Sequence, residues 1–180
     1  MKKIISILFF SCMVCVVPAQ TVQLKTDSLV LALDEVSSVE GCRQHTNTVK
    51  AAAAYYLYTP YSEKDIVRQP CALLVTQWAI NTDELSLSIS PHMHEGLIVK
   101  DVKKGELLVA YLAAACFYAI NNGENETTLD AYIYAMEETL HYYQRNRSII
   151  GKSKYWEKLL KKTDEQRRAE LTELYKKDYK

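Results

Sequence analysis

The chain has 180 residues, and its 22 lysines and arginines balance 22 aspartates and glutamates, so the formal charge is zero. That balance, with no concentrated basic face, excludes nucleic acid as a partner. The length suits one domain able to bury a real core.

Lys2 and Lys3 open the chain, Ile4 to Val17 is almost wholly apolar, and Val17-Pro18-Ala19 closes the run. A positive start, an apolar run and a small-residue exit are the three parts of a secretory signal peptide. Residues 1–19 are therefore expected to be removed after Ala19. The run of about 14 residues is short of the roughly 18–20 that span a bilayer, so no transmembrane helix is expected after cleavage. The expected address is periplasmic or secreted. An alternative is a lipid anchor on Cys12, which follows Phe9-Phe10-Ser11, a poor match because bulky side chains stand in the usual aliphatic and small positions.

Residues 20–44 are weakly patterned and read as a lead-in, either extended or as a short helix over Leu29 to Val36. The helical domain is placed at 45–180. Val49, Ala52, Ala53, Tyr56 and Leu57 form one helical stripe, with Thr46 or Asn47 as its cap and Pro60 as its stop. A second helix is predicted over 70–80, with Pro70 in its first turn and Leu73, Leu74, Gln77 and Trp78 along it. In the irregular segment 82–100, Leu85, Leu87 and Ile89 alternate with polar residues, which leaves an extended loop and a short strand both open. Residues 91–95 read as one helical turn. Leu107 to Ile120 carries no charged or strongly polar residue and is predicted to be the buried central helix, ended by Asn121-Asn122-Gly123. Leu129, Ile133, Met136, Leu140 and Tyr143 mark the next helix, which Gly151 breaks. Ser153 starts a short helix, and Thr163-Asp164-Glu165-Gln166 is a capping signature for the last one. The predicted fold is all-α, a bundle of five or six helices with short loops, with stacked helix pairs as a variant.

Residues 124–138 lean acidic and residues 145–180 lean basic. Solvated helix faces explain this, and an electrostatic docking patch is the sharper reading. Of the cysteines outside residues 1–19, Cys116 sits in the apolar helix, so Cys42 and Cys71 form the best candidate disulfide in an oxidising compartment.

Chemistry-bearing motifs are sparse. His92-Met93-His94-Glu95 brings metal-ligand types together, and His92, His94 and Glu95 are the candidate metal ligands, though a site needs three or four converging donors. Glu138 and His141 have the Glu-x-x-His spacing of a di-iron site, but only one copy exists and two are needed, so Glu138 is expected to face water. No glycine-rich phosphate loop or nucleophile motif is present, so no catalytic residue is named and no cofactor is implied. Tyrosines cluster at 55, 56, 58 and 61 and again at 132, 134, 142 and 143. Bundle packing accounts for such sets. An aromatic ligand groove using Tyr55, Tyr56, Trp78 and Tyr132 is the functional alternative.

The stretch from Ala51 through Trp78 to Leu107 has an alanine-tyrosine helix ending near Pro60, Trp78 followed by Asn81-Thr82-Asp83, and then an apolar helix. In these features it resembles small exported helical proteins of Bacteroidetes-type bacteria that have no assigned function. The resemblance covers roughly half the chain, implies a helical domain and supplies no catalytic residue. The leading expectation is a non-enzymatic, extracytoplasmic module that binds an envelope protein or a small ligand. The alternative is a metal-binding protein or metal-dependent enzyme centred on His92, His94 and Glu95.

Overall fold

A computed structural model describes residues 26–87, 89–123 and 128–179. The signal-peptide reading of 1–19 and the lipid-anchor reading of Cys12 lie outside them. Eight helices are present among the described residues: α1 (Thr26–Glu35), α2 (Val39–Tyr58), α3 (Arg68–Asn81), α4 (Pro91–Leu97), α5 (Glu106–Asn122), α6 (Leu129–Ile150), α7 (Lys154–Leu160) and α8 (Asp164–Tyr179). The expected five or six is therefore too few. The two extra helices, α1 and α4, come from the lead-in and from the irregular segment. Neither has enough local signal to stand alone. Isolated helices shorter than roughly 12–15 residues are marginal in water, and these two have 10 and 7. Tertiary burial supplies the rest, since Leu29 and Ala32 on α1, Val36 just after it, and Met93 and Leu97 on α4 all face the core.

α5 lies at the centre, packed against α2, α3, α4 and α6. Its apolar run is legible because most of its sides meet protein: Leu107, Ala110, Tyr111, Ala113, Ala114 and Cys116 are all buried. Alanine lets neighbouring backbones approach closely. The helix ends at Gly123, whose positive φ of 65° suits glycine and whose N–H donates to the Ala119 carbonyl.

α2 starts seven residues before the predicted cap, because Ser38 accepts from the Gly41 N–H at 3.1 Å. Thr46 instead donates to the Cys42 and Arg43 carbonyls inside the helix. Gly41 is required by close approach, since a Cβ there would collide with the Glu35 carbonyl at the end of α1. This corner joins α1, α2 and α3. Trp78 Nε1–H donates to the Cys42 carbonyl at 3.1 Å, and Asn81 Nδ2 donates to the Val36 carbonyl at 2.9 Å.

Residues 82–87 bend at Asp83 and Glu84 and belong to no strand, and Leu85 is the buried member of the alternation. The only β contact among the described residues is an isolated bridge between Val102 and Gly151. The last helix begins as read from the sequence. Thr163 Oγ1 accepts from the Gln166 N–H at 3.3 Å, and Gln166 Oε1 accepts from the Thr163 N–H at 3.1 Å, a reciprocal capping box.

The uneven charge has an internal use. Arg167 on α8 pairs with Glu137 on α6 at 3.1 Å, and Arg168 pairs with Asp130 at 2.9 Å. Two arginines of α8 thus face two acids of α6 across the contact between these helices. None of the helices among the described residues is long and apolar enough to cross a membrane.

Candidate functional site

Where the end of α2, the turn after it, the start of α3 and the start of α5 meet, they leave a cleft of about 310 Å³. Its walls include Tyr56, Tyr61, Glu63, Arg68, Gln69 and Lys104, with Glu106 at its base. The local sequence explains the opening. Pro60 ends the run of α2, Asp65 accepts from the Val67 N–H at 3.0 Å to shape the turn, and Arg68 then opens α3. Gly105, with φ of 83°, turns the chain into α5 and places Glu106 in its first turn, where the helix dipole favours a carboxylate.

Arg68 is 5% exposed and lies beneath three aromatic rings. Its guanidinium carbon is 4.0 Å from the Tyr56 ring centre, 5.0 Å from Tyr61 and 5.2 Å from Tyr142. Glu106 Oε2 accepts from the Tyr142 hydroxyl at 2.7 Å, the Tyr56 hydroxyl at 2.8 Å and Arg68 Nη2 at 3.4 Å. Arg68 also donates to the Tyr142 hydroxyl and, through Nη1, to the Tyr56 carbonyl. Its Nε is buried and has no partner. A buried donor left unmatched costs roughly 1–3 kcal/mol.

Burial, reinforced for Tyr56 by the Glu106 charge and for Tyr142 by Tyr56, pushes both phenols far above their ordinary value. They remain hydrogen-bond donors. Burial works against the charge on Arg68, but Tyr142, Tyr56 and Glu106 outweigh it and the net direction is upward. The carboxylates here are occupied by internal donors. Asp65 accepts from the Tyr55 hydroxyl at 3.1 Å, Glu63 pairs with Lys103, and Glu106 holds its three. Among the described residues, Lys104 and Gln69 carry no ion pair or hydrogen bond from their side chains. Of these two, Lys104 offers a cationic donor, and the Gln69 amide offers both a donor and an acceptor.

The sequence-predicted ligand residues do not come together. Tyr56 lines the cleft and Tyr55 braces the turn through Asp65. Trp78 is wholly buried in the core, and Tyr132 is buried against α8, with ring centres 5.6 Å from Tyr175 and 6.1 Å from Tyr179. The two tyrosine clusters do meet, through Tyr56 stacked on Tyr142 at 5.8 Å. Arg68 and Glu106 were missed as a pair. The available signals were an arginine two residues before Pro70 and the one acid at the edge of the apolar helix.

The metal reading does not stand. Among the described residues no group of three or more His, Cys, Asp or Glu side chains could hold an ion. His92, His94 and Glu95 are exposed on α4. Two residues apart on a helix point about 200° away from each other, so the His-x-His spacing separates the rings once the segment is helical. His141 faces solvent beside Glu138 at 3.7 Å, while Glu138 is mostly covered rather than turned to water. The expected Cys42–Cys71 bridge is not formed, and both are free buried thiols. Cys42 Sγ is instead directed at the Val36 carbonyl, 3.4 Å away, at the α1–α2 corner. Burial pushes the Cys71 thiol up to about 12 and raises Cys42 and Cys116 as well, which keeps all three poor nucleophiles.

Comparison with protein-family models, with curated proteins and with solved structures finds no match.

Proposed function

We propose that this chain is an extracytoplasmic, non-enzymatic binding module whose cleft between α2, α3 and α5 takes a small carboxylate ligand. The observation that carries the ligand class is the guanidinium of Arg68, which lines the cleft and is held by three rings. A guanidinium is the natural partner of a carboxylate. Lys104 and the Gln69 amide add donors at the mouth. The extracytoplasmic address is supported by the Lys2-Lys3 start, the apolar run and the Ala19 exit.

The test is a titration with butanoate, followed by amide chemical shifts. The expected result is saturable movement of Arg68, Gln69, Gly105 and Glu106, weakened at least fivefold in Lys104→Glu. Lys104 is exposed, so this change leaves the fold intact. No movement at these amides, or equal movement with butylammonium, would overturn the carboxylate reading. Mass and fractionation of the chain expressed in a Gram-negative host test the address. An unprocessed chain in the cytosol would contradict it.

A further inference from the structure

We infer that the ligand of this cleft is an α-amino acid bound as its zwitterion, with its carboxylate toward Arg68 and Lys104 and its ammonium on Glu106. The inference rests on the reading of the cleft given above, and adds a positive group to the same small carboxylate.

The lining of the cleft carries both signs. Glu63, Asp65 and Glu106 line it together with Arg68 and Lys104. Lys103 pairs with Glu63 and lies over the Tyr61 ring, 4.8 Å from its centre. With Lys103 included, three anions stand against three cations. A lone carboxylate would leave such a site with an excess negative charge, and a lone amine with an excess positive one. A ligand with one charge of each sign keeps it neutral, and charges leave water at least cost when each meets its opposite.

One open group of each sign is at hand. Lys104 carries no ion pair among the described residues. The three donors to Glu106 all reach Oε2: the Tyr142 hydroxyl at 2.7 Å, the Tyr56 hydroxyl at 2.8 Å and Arg68 Nη2 at 3.4 Å. Oε1 takes no hydrogen bond among the described residues, and the side chain is 17% exposed. Glu106 therefore holds its internal donors with one oxygen and keeps the other for the cleft. The other two acids suit an ammonium less. Asp65 turns both oxygens to the Tyr55 hydroxyl and Oδ1 also to the Val67 N–H. Glu63 is exposed, and water weakens an ion pair there.

Spacing selects the α-amino acid. Cation and anion in the cleft are adjacent, with Arg68 Nη2 3.4 Å from Glu106 Oε2. An α-amino acid holds its ammonium and carboxylate one carbon apart, so it can lie antiparallel to this pair with each charge on its opposite. A chain that separates its charges by several carbons does not match that spacing. The cleft volume of about 310 Å³ is at the small end for small-molecule sites, and Ala72 and Val109 give a short aliphatic side chain an apolar lining.

The test is an amide chemical-shift titration at neutral pH with L-α-aminobutanoate, its γ-amino isomer, its N-acetyl derivative and butanoate, read at Arg68, Gln69, Gly105 and Glu106. L-α-Aminobutanoate is expected to bind at least tenfold tighter than butanoate, as one further charge-assisted hydrogen bond supplies. The γ-amino isomer is expected to lose most of that gain, and acetylation, which removes the positive charge, all of it. In Glu106→Gln the α-amino acid is expected to fall to within about twofold of butanoate. The acetylated ligand is read on the wild-type protein, so the ammonium is tested independently of that variant's stability. Butanoate binding as tightly as α-aminobutanoate would overturn the zwitterion and leave the carboxylate reading standing. Equal binding of the α- and γ-amino isomers would overturn the α-amino acid. No movement with any of the four would overturn both readings.

Discussion

Glu106→Gln is the sharpest probe of the polar core. The carboxylate accepts three hydrogen bonds on one oxygen and is the counter-charge of a guanidinium that is 5% exposed. Glutamine keeps an acceptor for Tyr56 and Tyr142, so those bonds fall from charge-assisted to neutral strength, a loss of about 1 kcal/mol each. Arg68 is left as a buried charge without its anion. Breaking a buried pair costs about 3–5 kcal/mol, but Glu106 is 17% exposed and 3.4 Å from Arg68, so the charge term here is nearer 1–2 kcal/mol. The expected destabilisation is about 3 kcal/mol, read from urea unfolding by circular dichroism at pH 7. A second substitution separates charge from shape. Arg68→Met in the Glu106→Gln background removes the stranded cation, so the double variant should be more stable than additivity predicts by at least about 1 kcal/mol. A loss below about 1 kcal/mol for Glu106→Gln, or strict additivity in the cycle, would refute the account of Glu106 as the anchor of a buried cation.

Three further outcomes follow from the same structure. The Tyr143 hydroxyl, and after it the Arg147 guanidinium at 2.8 Å, hold Glu157 below its ordinary value of 4.5. Its native carboxylate therefore binds protons less readily than the unfolded one, so its stabilisation is present above pH 4.5 and is lost as the pH falls through the native value. Glu157→Gln should flatten part of the acid limb of a stability-versus-pH curve, and an unchanged limb would contradict the pairing. Cys42, Cys71 and Cys116 are free and buried. An aromatic disulfide reagent should label all three in denaturant and almost none in the native protein, and a missing pair of thiols in denaturant would reveal a bridge. Gly151 has φ of 108° and a Cβ there would strike the Asp101 carbonyl, so Gly151→Ala should cost about 3 kcal/mol in urea unfolding. A loss under about 1 kcal/mol would show that the Val102–Gly151 bridge gives way easily.

The sequence by itself determined the helical class and the helices whose signals are local. The apolar run of α5 needs burial on most sides whatever its neighbours are. Ser153 and Thr163 cap α7 and α8 because a hydroxyl reaches an amide only three residues away. The tyrosine clusters at 55–61 and 132–143 were visible as packing material, and they meet where Tyr56, which lines the cleft, stacks on Tyr142. Tertiary structure alone decided the helix count, the fate of the cysteines and histidines, and the site. α4 has 7 residues, and the single turn read at 91–95 is too short to be stable alone; burial of Met93 and Leu97 holds it as a helix, and the helical turn then sets His92 and His94 apart. The cleft joins Arg68 to Glu106 across 38 positions and to Tyr142 across 74. Periodicity and capping are short-range properties of the chain, whereas pairing a buried charge with its anion depends on which helices become neighbours, and packing around α5 decides that.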